Sequence, residues 1–445
     1  MDASRYIEDF DFLVDTVDRV HPCPDLTSTR HQLEAQRDRL RRDLAECRTD
    51  GDFWHVAQAY LVTVGDGHTN LRSPIKSDFR QAGLVTSLVD GQVVVAEVID
   101  SESAPEVHVG DIILGVNGHD VETRLGEVIR SQPSDTVRSA RFRAARDALV
   151  FVGSTSETCT VTLSAVNGSV YDTTLRLLGF SGPIADHDRQ ERVIDHKECV
   201  TTFFWEAASA GCLRLRSCMD RTTIQQEWLD GLDLTLDDVP DMESVCWDFF
   251  SALRASRARK AIIDIRGNGG GNSSVGATLL KYLTRKPIES YRGDTKVSEE
   301  TKKWFPNEPI GSVARGTAGV RAFPYQTRLS EDQLKTLPAF EGQVIALLDT
   351  GVYSSAEWLA AELAANNLAT LIGEPTGGGG SRPGEQLNFA LPNTGLTLWV
   401  SSKLWVPPGG QLIEQRGVYP DYWVKPTVDD VRNDVDRVME FALSL

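Results

Sequence analysis

Two adjacent serines, Ser354 and Ser355, stand between a short apolar run and a helix-like stretch in VIALLDTGVYSSAEWLAAEL, which begins at Val344. The run reads as a buried strand. Trp358, Leu359, Ala361 and Leu363, mixed with Glu357 and Glu362, read as an amphipathic helix. A serine at such a turn is exposed at the top of a sheet, beside the positive end of a helix, where negative charge is stabilised. The chemistry on offer is attack on a carbonyl by a serine hydroxyl. It requires a base for the proton and N–H groups for the oxyanion. A second account fits the same letters: Ser354-x-x-Glu357 before an apolar run is a capping box, which satisfies helix amides without any chemistry.

Candidates for both missing parts lie far upstream. His68 follows Asp66-Gly67 and precedes Thr69. Packing does not force a histidine into such a turn, although its ordinary reading is a surface loop residue. The strand-like KAIIDIR, ending at Arg266, runs straight into Gly267-Asn268-Gly269-Gly270-Gly271-Asn272, and a helix is expected from Val275 to Leu283. The glycine run lacks both phosphate-cradling patterns. It remains either a tight turn or a set of backbone N–H groups that approach an oxyanion closely.

Three regions must position these residues. Residues 1–75 read as helices: Asp2 to Val20, stopped by His21-Pro22, then Ser28 to Glu46, then a third with Asp52 as its N-cap. Residues 80–178 change to strand patterns, GLVTSLV and QVVVAEVI, parted by Asp90-Gly91. VGDIILGVNGHDV follows, then helices at Arg124 to Arg130 and Ser139 to Val152, and closing strands at Thr160 to Ser164 and Thr173 to Leu178. Residues 181–200 are charged and read as a linker. The last domain, 199–445, holds the serines and glycines, with a helix from Met242 to Ala255. Glu289 to Phe340 reads as an irregular cover over the site. Gln386 to Leu391 and Leu396 to Val406 read as strands, and Val428 to Leu443 as one helix capped by Thr427.

With 41% hydrophobic and 25% charged residues the composition is globular, and a net charge of -18 argues against nucleic acid or an anionic membrane as partner. Seven scattered cysteines form no C-x-x-C or zinc pattern and are expected to be buried thiols. No basic-then-apolar leader opens the chain and no run reaches membrane-spanning length. A cytoplasmic protein is expected, or one whose leader has been removed.

Taken in order, Asp66-Gly67-His68-Thr69, the stretch Gly110-Asp111-Ile112-Ile113 with Val116-Asn117-Gly118, the Asp264-to-Gly271 run, and Tyr353-Ser354-Ser355-Ala356-Glu357 before Gly373-Glu374-Pro375-Thr376-Gly377-Gly378 resemble the tail-specific, or C-terminal processing, serine peptidase superfamily. The resemblance covers nearly the whole chain. It implies an α/β fold: a ClpP/crotonase-like αβ spiral core, a PDZ-like β domain over 80–178, and an N-terminal helical segment. Members that pair serine with lysine carry that lysine after the Glu-x-Thr motif. Here the region reads Thr376-Gly377-Gly378-Gly379-Gly380-Ser381-Arg382, and arginine stays protonated, so it is no base. The histidine-using branch, which includes the tricorn core and retinoid-binding-protein relatives, matches at His68. Gly67 stands where tricorn has serine, so a polar relay through that position is lost. Glu414, before Gly417-Val418-Tyr419-Pro420-Asp421, matches that branch's glutamate.

The resemblance therefore implies Ser354 as nucleophile, His68 as base, Glu414 as polar support, and backbone N–H groups of Gly270 (or Gly269) and Ser355 as the oxyanion hole. It implies a peptide or unfolded-protein substrate and no cofactor or metal, and leaves homo-oligomerisation open. Two other functions stay open on the sequence: a ligand-binding protein without proteolysis, and a serine acyl-transfer enzyme or esterase acting on a modified peptide.

Overall fold

The computed structural model describes residues 4–72, 79–152, 154, 156–179, 199–222, 235–286, 288–306, 320–321, 340–409 and 416–445. Helices α1 (Ser4–Val20), α2 (Arg30–Asp43) and α3 (Asp50–Val64) open the chain. The cap of α3 is Thr49 rather than the expected Asp52, which instead completes a capping box as its third helical residue. Gly65 ends α3 at φ 72°, in the left-handed region that suits glycine. Asp66 to Thr69 then lead into β1 (Asn70–Leu71).

The next unit is built from β2 (Phe79–Ala82), β3 (Leu84–Val89), β4 (Gln92–Val98), β5 (Ile112–Val116), β6 (His119–Asp120), α4 (Val121–Ile129), α5 (Val137–Arg146), β7 (Val150–Val152), β8 (Thr158–Ser164) and β9 (Val170–Gly179). Its strands form one antiparallel sheet in the order β3-β4-β5-β8-β9-β2-β7, with β6 on β5. The helix expected from Ser139 to Val152 is instead α5 followed by β7. Val150 to Val152 pair with β2, so sheet pairing overrides a helix-compatible local pattern. Ala144, Ala145 and Ala148 pack on Val95 and Ile113, closing this unit's own core.

The third unit supplies the parallel sheet. Its elements are β10 (Val200–Trp205), β11 (Ala210–Leu215), α6 (Met242–Ala255), β12 (Lys260–Asp264), α7 (Ser274–Leu280), β13 (Arg292–Thr295), β14 (Val320–Arg321), β15 (Gln343–Leu348), α8 (Ser355–Ala365), β16 (Thr370–Gly373), β17 (Arg382–Ala390), β18 (Thr397–Val406), β19 (Tyr422–Trp423), α9 (Val428–Arg432) and α10 (Arg437–Ser444). Six strands run in the order β10-β11-β12-β15-β16-β19, parallel from β11 onward. Phe249, Phe250, Leu279 and Leu359 cover one face, and Val438, Met439 and Ala442 the other. Burial on both faces is why β12 and β15 are unbroken apolar runs.

The single helix expected from Val428 to Leu443 is two. Asp434 at φ 54° turns the chain, and Thr427 and Asp436 each cap one piece. The strand expected from Gln386 starts earlier, at Arg382, because it pairs along the length of β18. β18 also pairs with β1 and β13, and Leu398 and Val400 pack with α1 and α3 side chains in one core. This second sheet therefore ties the N-terminal helices to the parallel-sheet unit. The expected linker falls almost wholly outside the described residues, as does much of the expected cover. The described part of the latter holds β13, β14 and a short helix, Glu299–Trp304.

Candidate active site

The site lies at the carboxyl ends of β12 and β15, where open α/β sheets place their ligands. From β15 the chain turns through Asp349 to Tyr353, and α8 begins at Ser355. Ser354 sits at φ 52°, ψ -124°, a conformation rarely adopted by L residues and one that projects a side chain from a sharp elbow. Its hydroxyl does not cap the helix. His68 Nε2 lies 3.0 Å from Ser354 Oγ, across 286 residues of sequence. Glu357, the other half of the supposed capping box, is also engaged elsewhere. It takes Arg382 Nη1 at 2.6 Å, Thr376 Oγ1 at 2.6 Å and the Gly380 amide at 3.1 Å. The capping-box account is thus overturned by where both side chains go.

Arg382 belongs to the elbow. Its guanidinium is buried against Glu357, and Nη2 donates to the Ser354 carbonyl. Asp349 Oδ1 accepts the amides of Gly267 and Gly351 at 2.8 and 2.9 Å, joining the glycine run to the serine turn. The Tyr353 amide donates to the Asn268 carbonyl, and Ser355 Oγ donates to the Gly271 carbonyl at 2.7 Å. Gly270 has φ 112°, and a Cβ there would come within 2.6 Å of Ser354 Cβ. Only glycine lets these two turns meet so closely.

One expectation needs correction. The Gly270 amide is committed, donating to Asn268 Oδ1 at 2.9 Å. Asn268 is itself fully buried and donates to the Leu215 carbonyl, so this bond is part of what shapes the run. Gly270 therefore serves by its missing side chain, and among the described residues neither the Gly269 nor the Ser355 amide donates to a backbone carbonyl. Glu414 lies outside the described residues.

His68 is held from all sides. Gln386 Nε2 donates to its carbonyl at 2.6 Å, and its amide donates to Asp66 Oδ1 at 2.9 Å. Tyr353 stacks on the imidazole at 4.9 Å between ring centroids, with its hydroxyl 3.1 Å from Nδ1. Asp66 Oδ1 lies 3.7 Å from the same nitrogen. Asp66 Oδ2 receives His21 Nε2 at 3.1 Å, Thr69 Oγ1 at 2.5 Å and Ser401 Oγ at 2.7 Å. The Cys23 amide donates to His21 Nδ1, which makes His21 Nε2 the protonated nitrogen. Burial pushes the Asp66 carboxyl up, but His21 and His68 outweigh it and hold the group well below the usual carboxylate range. Asp66 is thus a fixed anion under the histidine.

Asp135 comes from the loop before α5. Its Oδ1 accepts the Gly67 amide at 2.7 Å. Burial first, then the Asp66 charge, raises its carboxyl above the usual range. Burial, then Asp135 and Asp66, raise the Tyr353 phenol well above its ordinary value, so it stays protonated. Donor atoms of Asp66, His68 and Asp135 lie within 4.8 Å of one another, as metal ligands would. Hydrogen bonds already occupy most of them, and the set has the character of a proton-handling network around a histidine. Sequence reading singled out none of Tyr353, Asp135, His21 or Asn268. A cavity of about 310 Å³ opens beside Gly67, lined by Trp54, Gln58, Asn70, Arg124 and Phe151 among others.

Residues 234–424 match peptidase family S41. No curated protein matches the chain by sequence. Among solved structures, mature CPAF complexed with lactacystin superposes with a TM-score of 0.74 at 14% identity, covering 99% of this chain and 97% of that one. A second structure of mature CPAF gives 0.72 at 14% identity over 99% and 96%. A putative peptidase from Parabacteroides merdae gives 0.52 at 13% identity over 99% and 96%. The mixed α/β fold of this chain is therefore shared with these proteins along nearly its whole length.

Proposed function

We propose that this chain, whose residues 234–424 match peptidase family S41, cleaves peptide bonds with Ser354 as nucleophile and His68 as general base. The observation that carries the reading is the 3.0 Å approach of His68 Nε2 to Ser354 Oγ at a strained elbow. His68 Nε2 takes the hydroxyl proton as Ser354 Oγ attacks the carbonyl carbon. The same nitrogen then gives that proton to the leaving amine, and a water repeats the cycle on the acyl-enzyme. The oxyanion points to the amides of Ser355, at the positive end of α8, and of Gly269. Loss of one such donor raises a barrier by about 2.7–4 kcal/mol. Glu414 enters on the motif alone, as polar support.

The β-rich unit is proposed to be PDZ-like, presenting an extended peptide. Support comes from β3, an edge strand of its sheet, and from α5 beside it, with Thr86 Oγ1 donating to the Ala145 carbonyl at 2.7 Å. Such an edge takes a peptide as an added strand. A peptide or unfolded chain as substrate and a cytoplasmic location complete the proposal, the location resting on composition alone.

The test is cleavage of a diverse peptide library read by mass spectrometry, with wild type, Ser354→Ala and His68→Ala. Cleavage by wild type that both variants lose is expected. Unchanged cleavage by Ser354→Ala refutes the mechanism. Turnover of esters but not peptides by wild type assigns the same serine to acyl transfer instead.

A further inference from the structure

We infer that Asp135, carried by the β-rich unit, is a positioning residue for His68 and acts through the Tyr353 hydroxyl. This rests on the serine–histidine reading and adds to it the group that completes the back of the imidazole. Three observations place it. Gly67 has no side chain, and a Cβ there would lie 2.5 Å from Tyr353 Oη and 3.2 Å from Asp135 Oδ1. The phenol and the carboxylate thus converge on the space a side chain at position 67 would fill. Tyr353 Oη is 3.1 Å from His68 Nδ1. Asp135 is 7% exposed, and its Oδ2 is buried without a hydrogen-bond partner among the described residues. A buried carboxylate oxygen left without a donor is costly. The Tyr353 O–H converges on the same carboxylate from the side of Oδ1 and is the hydroxyl from which that carboxylate can accept.

The order of bonds then follows from what each atom can do. With Nε2 accepting from Ser354, the imidazole proton sits on Nδ1 and is donated to Tyr353 Oη. The Tyr353 O–H is donated in turn to Asp135. When His68 takes the serine proton, no further proton moves. The imidazolium gains a fixed acceptor at Nδ1, with Asp66 and Asp135 as the anions facing it. His21 stands behind Asp66, and Arg382 is a cation that acts on Tyr353. The polar relay that the sequence loses at Gly67 is supplied from across the fold.

The route also makes the β-rich unit part of the catalytic apparatus. Asp135 precedes Thr136, whose Oγ1 caps α5 and donates to the Gly377 carbonyl at 2.9 Å. Arg138 Nη1 donates to the Thr376 carbonyl at 2.9 Å, and Thr376 is one of the residues that hold Glu357. The seat that fixes Asp135 is therefore the strap that wraps the serine elbow.

The experiment measures kcat and KM against pH for Asp135→Asn, Tyr353→Phe and the double variant, on the best library peptide. Labelling of Ser354 by a fluorophosphonate is followed in parallel. Each single variant is expected to lose roughly 10- to 100-fold in kcat with little change in KM. Removing the Asp135 charge is expected to move the acid limb of kcat/KM to lower pH, because an anion facing His68 favours the imidazolium. The double variant is expected to be no worse than the poorer single one, as groups acting in series behave. A merely structural role would lower the amount of folded protein without moving the acid limb. If Asp135→Asn misfolds, Tyr353→Phe carries the same test, since it removes only the bridging oxygen. An acid limb and kcat within twofold of wild type in Tyr353→Phe and in folded Asp135→Asn overturns the inference. Absence of Ser354 labelling in wild type overturns the serine–histidine reading itself, so the two failures are distinguishable.

Discussion

Breaking the buried pair of Glu357 and Arg382 should cost far more than replacing both residues. Their side chains are 0% and 3% exposed. Arg382→Met leaves the Glu357 carboxylate with Thr376 Oγ1 and the Gly380 amide but without its counter-charge. Glu357→Gln leaves a buried guanidinium with the Ser354 carbonyl and the Tyr291 ring but without its paired carboxylate. Removing one partner of such a pair typically costs about 3–5 kcal/mol, because the other charge stays buried. The remaining donors on Glu357 put Arg382→Met near the lower end. In the double variant no charge is stranded, and a loss of about 1–2 kcal/mol is expected, a coupling of at least about 4 kcal/mol.

Activity should separate from stability. Arg382 holds the carbonyl of a residue whose φ and ψ store about 1–3 kcal/mol of strain, and without that hold the elbow can relax. A displacement of about 1 Å at a nucleophile can cost about 100-fold in rate. Both Arg382→Met and the double variant should therefore lose kcat, although only the first loses much stability. Urea unfolding followed by tryptophan fluorescence gives the first quantity; Trp358 lies one residue beyond Glu357. Peptide turnover gives the second. Additive single-variant costs, or full kcat in Arg382→Met, would refute the argument.

Two further outcomes are expected. Burial raises the Glu362 carboxyl to about 7, against Ser290 and Trp358, whose hydrogen bonds favour the ionised form. The folded state then holds this proton more tightly than the unfolded chain, so stability falls as pH rises from about 4.5 to about 7. Glu362→Gln should gain up to about 3 kcal/mol over wild type at pH 8 and almost nothing at pH 4; equal gains in melting measurements at both pH values would contradict this. Ser354→Gly should be more stable than Ser354→Ala by about 1 kcal/mol, since glycine accepts φ 52° without strain; a more stable alanine variant would argue against a strained elbow.

What the sequence made legible follows the range of the interactions. Val344 to Leu348 and the helix after Ser355 are local patterns, and the structure has them as β15 and α8. The turn holding His68 stood out because a histidine after Asp66-Gly67 is not demanded by packing. Asp135 was hidden in the polar loop Ser131 to Thr136, where nothing periodic marks it, and its partner amide is 68 residues away. Tyr353 read as a turn residue beside the serine, because stacking on a ring 285 residues upstream has no local signature. The helix pattern through Val152 failed for the same reason, since the pairing of β7 with β2 is set by a strand about 70 residues earlier. A sign of the relay was nonetheless present. Gly67 beside His68 leaves room that some other side chain must fill.

The wide spacing of the site bears on when the enzyme first becomes dangerous. His68 leaves the ribosome 286 residues ahead of Ser354, a wait of about 15–60 s at about 5–20 residues per second. Its loop gains its strand anchor when β1 pairs with β18, whose residues are made later still. A nascent chain is the unfolded polypeptide such an enzyme would attack. The proposed nucleophile–base pair cannot form until most of the chain has been synthesised and assembled, an order that would spare the nascent chain from its own chemistry.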